Sequence, residues 1–266
     1  MIQKEKLNKY VRENIDRYLN LDISNQKISC PYAINFVEQE FLSLMKQSGI
    51  DEERIKEVHK LYKGNKSKYG WYRGKGTPEE LKSAFLEISK VRDFNIQNAS
   101  PDGIRESMKL FGLGIDCSGY IYNVLLEGFK SINMEDQFIK SLAWQEEDRT
   151  GASRASVEIF SGTASTIITD LDSLSNLDLL LLKNKEGSYT HMAMVLKDGD
   201  QLKITQSVFS IIPNGVRIDN MRVEENIPRF EFKVDIGTDW NILYTNNRIE
   251  FRRLNILVDD TKVHRT

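Results

Sequence analysis

The spacing of apolar residues divides the chain into two parts. Up to about residue 130 they recur at three- and four-residue intervals; from about 164 they alternate or run in short blocks between turn residues. A first helix is expected over 2–20, with Leu7, Val11, Ile15 and Leu19 on one stripe. A loop containing Asp22 and Asn25 follows. A second helix is expected from Pro31, which suits a first turn, with Ile34, Phe36, Val37, Phe41 and Leu44 forming an apolar face and Gly49 ending it. Residues 51–62 predict a charged helix on which His59 is solvated. The segment 63–77 is a glycine-rich loop that carries Tyr69, Trp71 and Tyr72, a cluster suited to loop packing or to one wall of a substrate groove. Thr77-Pro78-Glu79-Glu80 then opens a helix to about Val91, with a cap residue, proline at the first position and a capping-box glutamate. Ser100-Pro101-Asp102 opens another, ending at Gly112 or Gly114.

Residues 131–160 are polar and show no clear period. Beyond them come T-I-I-T-D-L-D, L-D-L-L-L-L-K-N, T-H-M-A-M-V-L-K, Q-L-K-I-T-Q-S-V, G-V-R-I-D-N-M-R-V and R-I-E-F-R-R-L-N-I-L. Turn residues separate these runs, and Asp198-Gly199-Asp200 between two alternating runs signals a hairpin. Helices first and an antiparallel sheet second make an α+β fold.

Of the 266 residues, 40% are hydrophobic and 29% charged, with a net charge of −2. That is a globular composition without a general attraction for nucleic acid or anionic membrane. No run is long enough for a membrane span, and Met1–Ile15 lacks the apolar core of a signal peptide. As written, the chain is expected to be cytoplasmic; a trimmed leader would look the same. Two cysteines, Cys30 and Cys117, form neither a disulfide framework nor a zinc spacing, so no metal or cofactor is expected. Lys63–Lys68 and the Arg252-Arg253 pair read as solvated charge.

The chemistry concentrates in residues 111–128, F-G-L-G-I-D-C-S-G-Y-I-Y-N-V-L-L-E-G. Asp116 suits an N-cap, and Tyr120, Ile121, Val124 and Leu125 follow at helical spacing. Cys117 is therefore expected in the first turn of a buried helix, where free amides and the positive dipole end favour a thiolate, the nucleophilic form. A packed, inert thiol is the competing reading. Cys30, before Pro31 and an apolar run, reads as a packing thiol. A cysteine nucleophile needs a base, usually histidine. His59 lies in a charged helix and His264 in the tail; His191 alone opens an apolar strand.

D-C-S-G-Y, then L-D-L-L-L-L, then H-M-A-M-V-L resembles the NlpC family of papain-like cysteine peptidases. The resemblance covers about 65–210. It implies a Cys-bearing helix packed on an antiparallel sheet, with Cys117 as nucleophile and His191 as base, facing each other across a cleft. Asp178 matches the aspartate of a Gly-Asp-Leu strand, with Leu177 where glycine is usual, and shapes the turn into that strand. The next strand supplies a third residue to orient the imidazole; Gln206 is the choice, with Thr205 and Ser207 as alternatives one register step away. W-Y-R-G-K-G-T-P matches the family's upstream tyrosine stretch through Tyr72, although two helices separate it from the cysteine. Tyr72, Asp116 and Ser118 are then expected to bind substrate.

The division expected is an N-terminal helical extension, 1–62, and a papain-like hydrolase domain, 63–266, with an insertion around 131–165. The implied activity is cleavage of an amide or peptide bond through a thioester acyl-enzyme, on a peptide or muropeptide derived from peptidoglycan. Acyl transfer or deamidation at the same Cys/His site, and a non-catalytic binding module on the same fold, are the alternatives. No nucleic-acid or membrane partner is implied, and the oligomeric state is open.

Overall fold

A computed structural model of the chain describes residues 3–33, 74–145 and 150–258, with isolated positions between 46 and 57. The fold is α+β. The first helix, α1 (Lys4–Leu19), buries Leu7, Val11, Ile15 and Tyr18. The residues after it form a small hairpin where a loop was expected. β1 (Leu21–Ile23) pairs with β2 (Gln26–Ile28) because Ser24 and Asn25 both adopt positive φ, 50° and 67°, the mirror-image turn that matches strand twist. Helices α2 (Pro78–Val91) and α3 (Pro101–Leu110) begin at Thr77 and Ser100 caps, and Thr77 and Glu80 form the full capping box. The cysteine helix, α4, runs Cys117–Lys130, and α5 spans Glu135–Ser141 within the unassigned polar stretch.

Seven antiparallel strands follow: β3 (Ser165–Ile167), β4 (Leu179–Lys183), β5 (Tyr189–Asp198), β6 (Gln201–Val208), β7 (Gly215–Glu224), β8 (Ile227–Phe230) and β9 (Ile249–Leu254). Their spatial order is β3-β9-β4-β5-β6-β7-β8. The β5–β6 hairpin turns at Gly199, φ 60°, with Asp198 opposite Gln201. A short helix, α6 (Trp240–Thr245), precedes β9. β8 and α6 have no counterpart in the elements expected from periodicity; both are brief.

The sheet separates two apolar clusters. Met192, Met194, Leu179 and Leu181 join α1, α2, α3 and α4 on one side. Ala193, Val195, Leu180, Ile204 and Trp240 form the other. That division is the two-residue period of the strands made physical. α1 and α4 pack so closely that a Cβ at Gly128 would stand 2.6 Å from Val11 Cγ2.

Two expectations change. Pro31 does not begin a helix: Pro31 and Tyr32 are extended and bridge to Gly215 and Ile115, because the Pro31 carbonyl accepts from the Ile115 N–H at 3.0 Å. Arg252 and Arg253 are not solvated charge. Arg252 is 7% exposed and donates to Ser165 and Glu250, while Arg253 grips Asp178 through Nε at 2.7 Å and Nη2 at 2.6 Å. Asp178 is fully buried and also accepts from the Ser175 N–H, so it ties the turn before β4 to β9. Leu177, in the position where the resemblance expects glycine, has φ 73°. The expected helix over 34–44, His59, Lys63–Lys68, the aromatic cluster of Tyr69, Trp71 and Tyr72, and His264 lie outside the described residues. Among the described residues no helix is long and apolar enough to cross a membrane.

Candidate functional site

Helix α4 begins where three extended segments meet. Ile115 lies between Tyr32 and Lys75, bridging both. Its carbonyl accepts from the Ser207 hydroxyl at 2.6 Å, and the Asp116 N–H donates to the Gly74 carbonyl at 2.8 Å. Asp116 is the N-cap and accepts from the Gly119 N–H at 2.7 Å, so Cys117 is the first helical residue. Gly119 lets segment 74–76 cross the first turn, since a Cβ there would stand 2.6 Å from the Gly74 carbonyl oxygen. Asn123, one turn further on, donates to the Lys75 carbonyl at 2.9 Å.

Two residues expected to bind substrate are used inside the protein. Asp116 is 7% exposed and Ser118 5%. The Lys75 ammonium donates to Asp116 Oδ1 at 2.7 Å and Oδ2 at 2.6 Å, and to the Ser118 hydroxyl at 2.6 Å. Ser118 in turn donates to the Ala155 carbonyl at 3.0 Å. These three side chains clamp the helix start, so the Asp116 and Ser118 side chains are already engaged within the protein. The third, Tyr72, lies outside the described residues. Tyr32 stands near Cys117 and Asp116; burial raises its phenol, and negative charge on either neighbour raises it further. Lys75 and Tyr32 carry no local signal in the sequence: each arrives from a segment distant in the chain.

The N–H groups of Met192 and Ser118 lie near the Cys117 sulfur and favour its ionised form. The thiol is thus set against the peptide bond that follows His191. On β5 the register that places Met194 opposite Thr205 leaves His191 and Gln206 together on the other sheet face. Gln206 Oε1 lies 2.9 Å from His191 Nε2. The edge of Trp240 covers the imidazole, with ring centroids 5.4 Å apart. Thr205 and Ser207, the register alternatives, point to the helix side: Thr205 Oγ1 meets the Tyr120 hydroxyl at 2.5 Å, and Ser207 meets Ile115 as above. No hydrogen bond links Cys117 directly to His191 among the described residues. The expected pairing across a cleft is not observed: Cys117 packs with Met192 in the helix-side cluster, whereas the His191 ring lies on the opposite sheet face beside Trp240 and Gln206, because neighbouring residues of a strand point to opposite faces.

Ionisation departs from the expected thiolate. Burial pushes the Cys117 thiol up to about 12, and the Asp116 carboxylate adds to the rise; Lys75 and the two N–H groups oppose it. Burial pushes the His191 imidazole down to about 4, against the Gln206 hydrogen bond. A thiolate–imidazolium pair at about 4 Å gains about 4 kcal/mol at an effective dielectric of about 20. At about 1.4 kcal/mol per pH unit that offsets roughly three units, less than the gap between about 12 and about 4. The resting pair is therefore thiol and neutral imidazole. Cys30 is fully buried, and burial pushes its thiol higher still. Among the described residues no group of three or more His, Cys, Asp or Glu side chains is placed to hold a metal.

Comparison of the chain with protein-family models, with curated proteins and with solved structures returned no match.

Proposed function

We propose that the chain is a cysteine hydrolase with a papain-like core of the NlpC type, cleaving an amide bond in a peptide derived from peptidoglycan. The observation that carries this reading is the conjunction at the rim of β5. A cysteine at the first helical position lies beside the Met192 N–H, and the residue before Met192 is a histidine bonded at 2.9 Å to a buried amide. A packed, inert thiol requires none of these groups.

In this reading the Cys117 sulfur attacks the carbonyl carbon while its proton passes to His191 Nδ1. Because the resting pair is neutral, transfer accompanies attack and His191 acts as a general base. This step requires the His191 ring, which rests on the sheet face away from Cys117, to turn to the helix side when substrate binds. The Cys117 amide, which has no acceptor among the described residues, faces the developing oxyanion from the first helical position. The imidazolium then protonates the departing amine, leaving a thioester that water hydrolyses. Tyr32 stands beside the nucleophile.

The test is mass spectrometry of a muropeptide mixture after incubation with the protein. The expected result is loss of one amide bond, with a gain of one water in the products, abolished in Cys117→Ala. Unchanged muropeptides, or the same cleavage by Cys117→Ala, would remove the hydrolase reading.

A further inference from the structure

The third residue behind the histidine is itself held, and its holder decides which ring nitrogen carries the proton. A glutamine amide has two ends of nearly equal shape and opposite hydrogen-bonding character. Gln206 is fully buried, so the arrangement of its neighbours determines which end faces His191. Opposite it on β7 lies Arg217, and two residues further on lies Asp219. Asp219 Oδ2 stands 2.8 Å from Gln206 Nε2. The same carboxylate is gripped by the Arg217 guanidinium, with Nε at 2.7 Å and 2.9 Å from its two oxygens and Nη2 at 2.6 Å from Oδ1. Asp219 is 5% exposed.

We propose that Asp219, locked by Arg217, is a positioning residue that sets the tautomer of His191 through Gln206. A carboxylate paired with a guanidinium only accepts hydrogen bonds, so the NH2 end of the amide must face Asp219. The carbonyl end then faces His191 Nε2, and a carbonyl oxygen also only accepts. Nε2 must therefore carry the hydrogen. A neutral imidazole has one N–H, so Nδ1 is left with its lone pair. Nδ1 is the atom that must take the thiol proton if Nε2 is already committed to Gln206. Nδ1 later gives its proton to the leaving amine.

The chain of fixed polarity runs guanidinium, carboxylate, amide, imidazole. It does for the ring what a direct carboxylate does in a Ser-His-Asp triad, while keeping the negative charge one residue further from the imidazole. The catalytic consequence rests on the hydrolase reading above; the tautomer does not.

The tautomer can be read directly. The full chain, labelled with ¹⁵N-histidine, is examined by long-range ¹H–¹⁵N correlation near neutral pH, and the His191 signals are assigned from their absence in His191→Gln. In the wild type the expected result is His191 protonated at Nε2 alone. In Asp219→Asn the Arg217 guanidinium keeps the new side-chain oxygen, which turns the NH2 toward Gln206. The Gln206 amide then turns over, and His191 is expected to shift to the Nδ1–H form. In Arg217→Leu/Asp219→Asn the Asn oxygen is free to face Gln206, and the Nε2–H form should return.

Such a reversal is not expected of a residue that only supports the fold. An Nδ1–H wild type, or one tautomer throughout the series, overturns the proposal. The wild-type spectrum decides the first half even if a variant fails to fold. On muropeptides, Asp219→Asn should lower kcat by about tenfold or more with little change in KM, and the double variant should recover it. Tautomer switching without amide cleavage by any variant or by the wild type would sink the hydrolase reading and leave this one standing.

Discussion

At the scale of single residues, burial controls the candidate site more than the helix terminus does. Asp116, Cys117 and Gln206 were legible because each sits within a local pattern: a cap, a helix start, an alternating strand after a hairpin. Tyr32, Lys75 and Asp219 were not, since only the folded chain brings them to the others. The thiolate expectation failed because the dipole end of a helix adds at most about 1–2 kcal/mol, while burial of both partners opposes charge at each. That balance has a pH signature. In the unfolded chain His191 binds a proton below about 6.5, and in the folded chain only below about 4. Between those values the unfolded state holds the extra proton, so stability rises with pH. The slope from this group is at most about 1.4 kcal/mol per pH unit and is reduced by the partial exposure of the ring. Urea unfolding from about pH 4.5 to about pH 7 should therefore show a steeper gain for the wild type than for His191→Gln. Parallel curves would show that the folded imidazole titrates as it does in the unfolded chain.

At the scale of elements, caps and turns were read well and extended straps were not. Thr77, Ser100 and Asp116 begin helices because their side-chain oxygens accept from amides that the helix leaves unpaired. Pro31 suits a helical first turn as Pro78 and Pro101 do but follows Cys30 and not a capping hydroxyl; its carbonyl is taken by Ile115, and Pro31 and Tyr32 are extended. Two helical glycines separate propensity from packing. Alanine is favoured over glycine within a helix by about 1 kcal/mol. At Gly103 of α3 a Cβ would meet only the Ser100 hydroxyl at 3.4 Å and Ala99 Cβ at 3.9 Å, ordinary contacts. At Gly119 it would stand 2.6 Å from the Gly74 carbonyl oxygen, which is backbone and cannot swing away. Gly103→Ala should raise the thermal midpoint slightly, and Gly119→Ala should lower it by several degrees. Equal shifts in one direction would mean that segment 74–76 does not cross the first turn of α4.

At the scale of the whole molecule, the change of period near residue 164 predicted the order of helices and sheet. It could not show which helices share a core, because a stripe of Leu7, Val11 and Ile15 fits any apolar partner. The structure supplies the partner: α1 lies on α4 at Gly128, and Leu7 is fully buried in the cluster that also contains Cys117 and Met192. Leu7→Ala should cost about 2–5 kcal/mol, the usual range for a buried leucine, in a single cooperative transition that also reports loss of the site. A cost below about 1 kcal/mol, or a separate early transition, would instead describe a detachable N-terminal piece. The β8 edge and the helix before β9 were the least legible parts, since β8 and α6 have only 4 and 6 residues. Too few positions remain there for a period to show.

The central claim is that Cys117 is a nucleophile served by His191, and thiol labelling tests it without knowledge of the substrate. The protein is treated with iodoacetamide near neutral pH, and modification at the two cysteines is followed over time by peptide mass spectrometry. The account predicts that Cys117 is alkylated well ahead of Cys30 and that His191→Ala slows Cys117 selectively. Equal rates at the two thiols, labelling confined to Cys30, or a Cys117 rate unaffected by His191→Ala would contradict it.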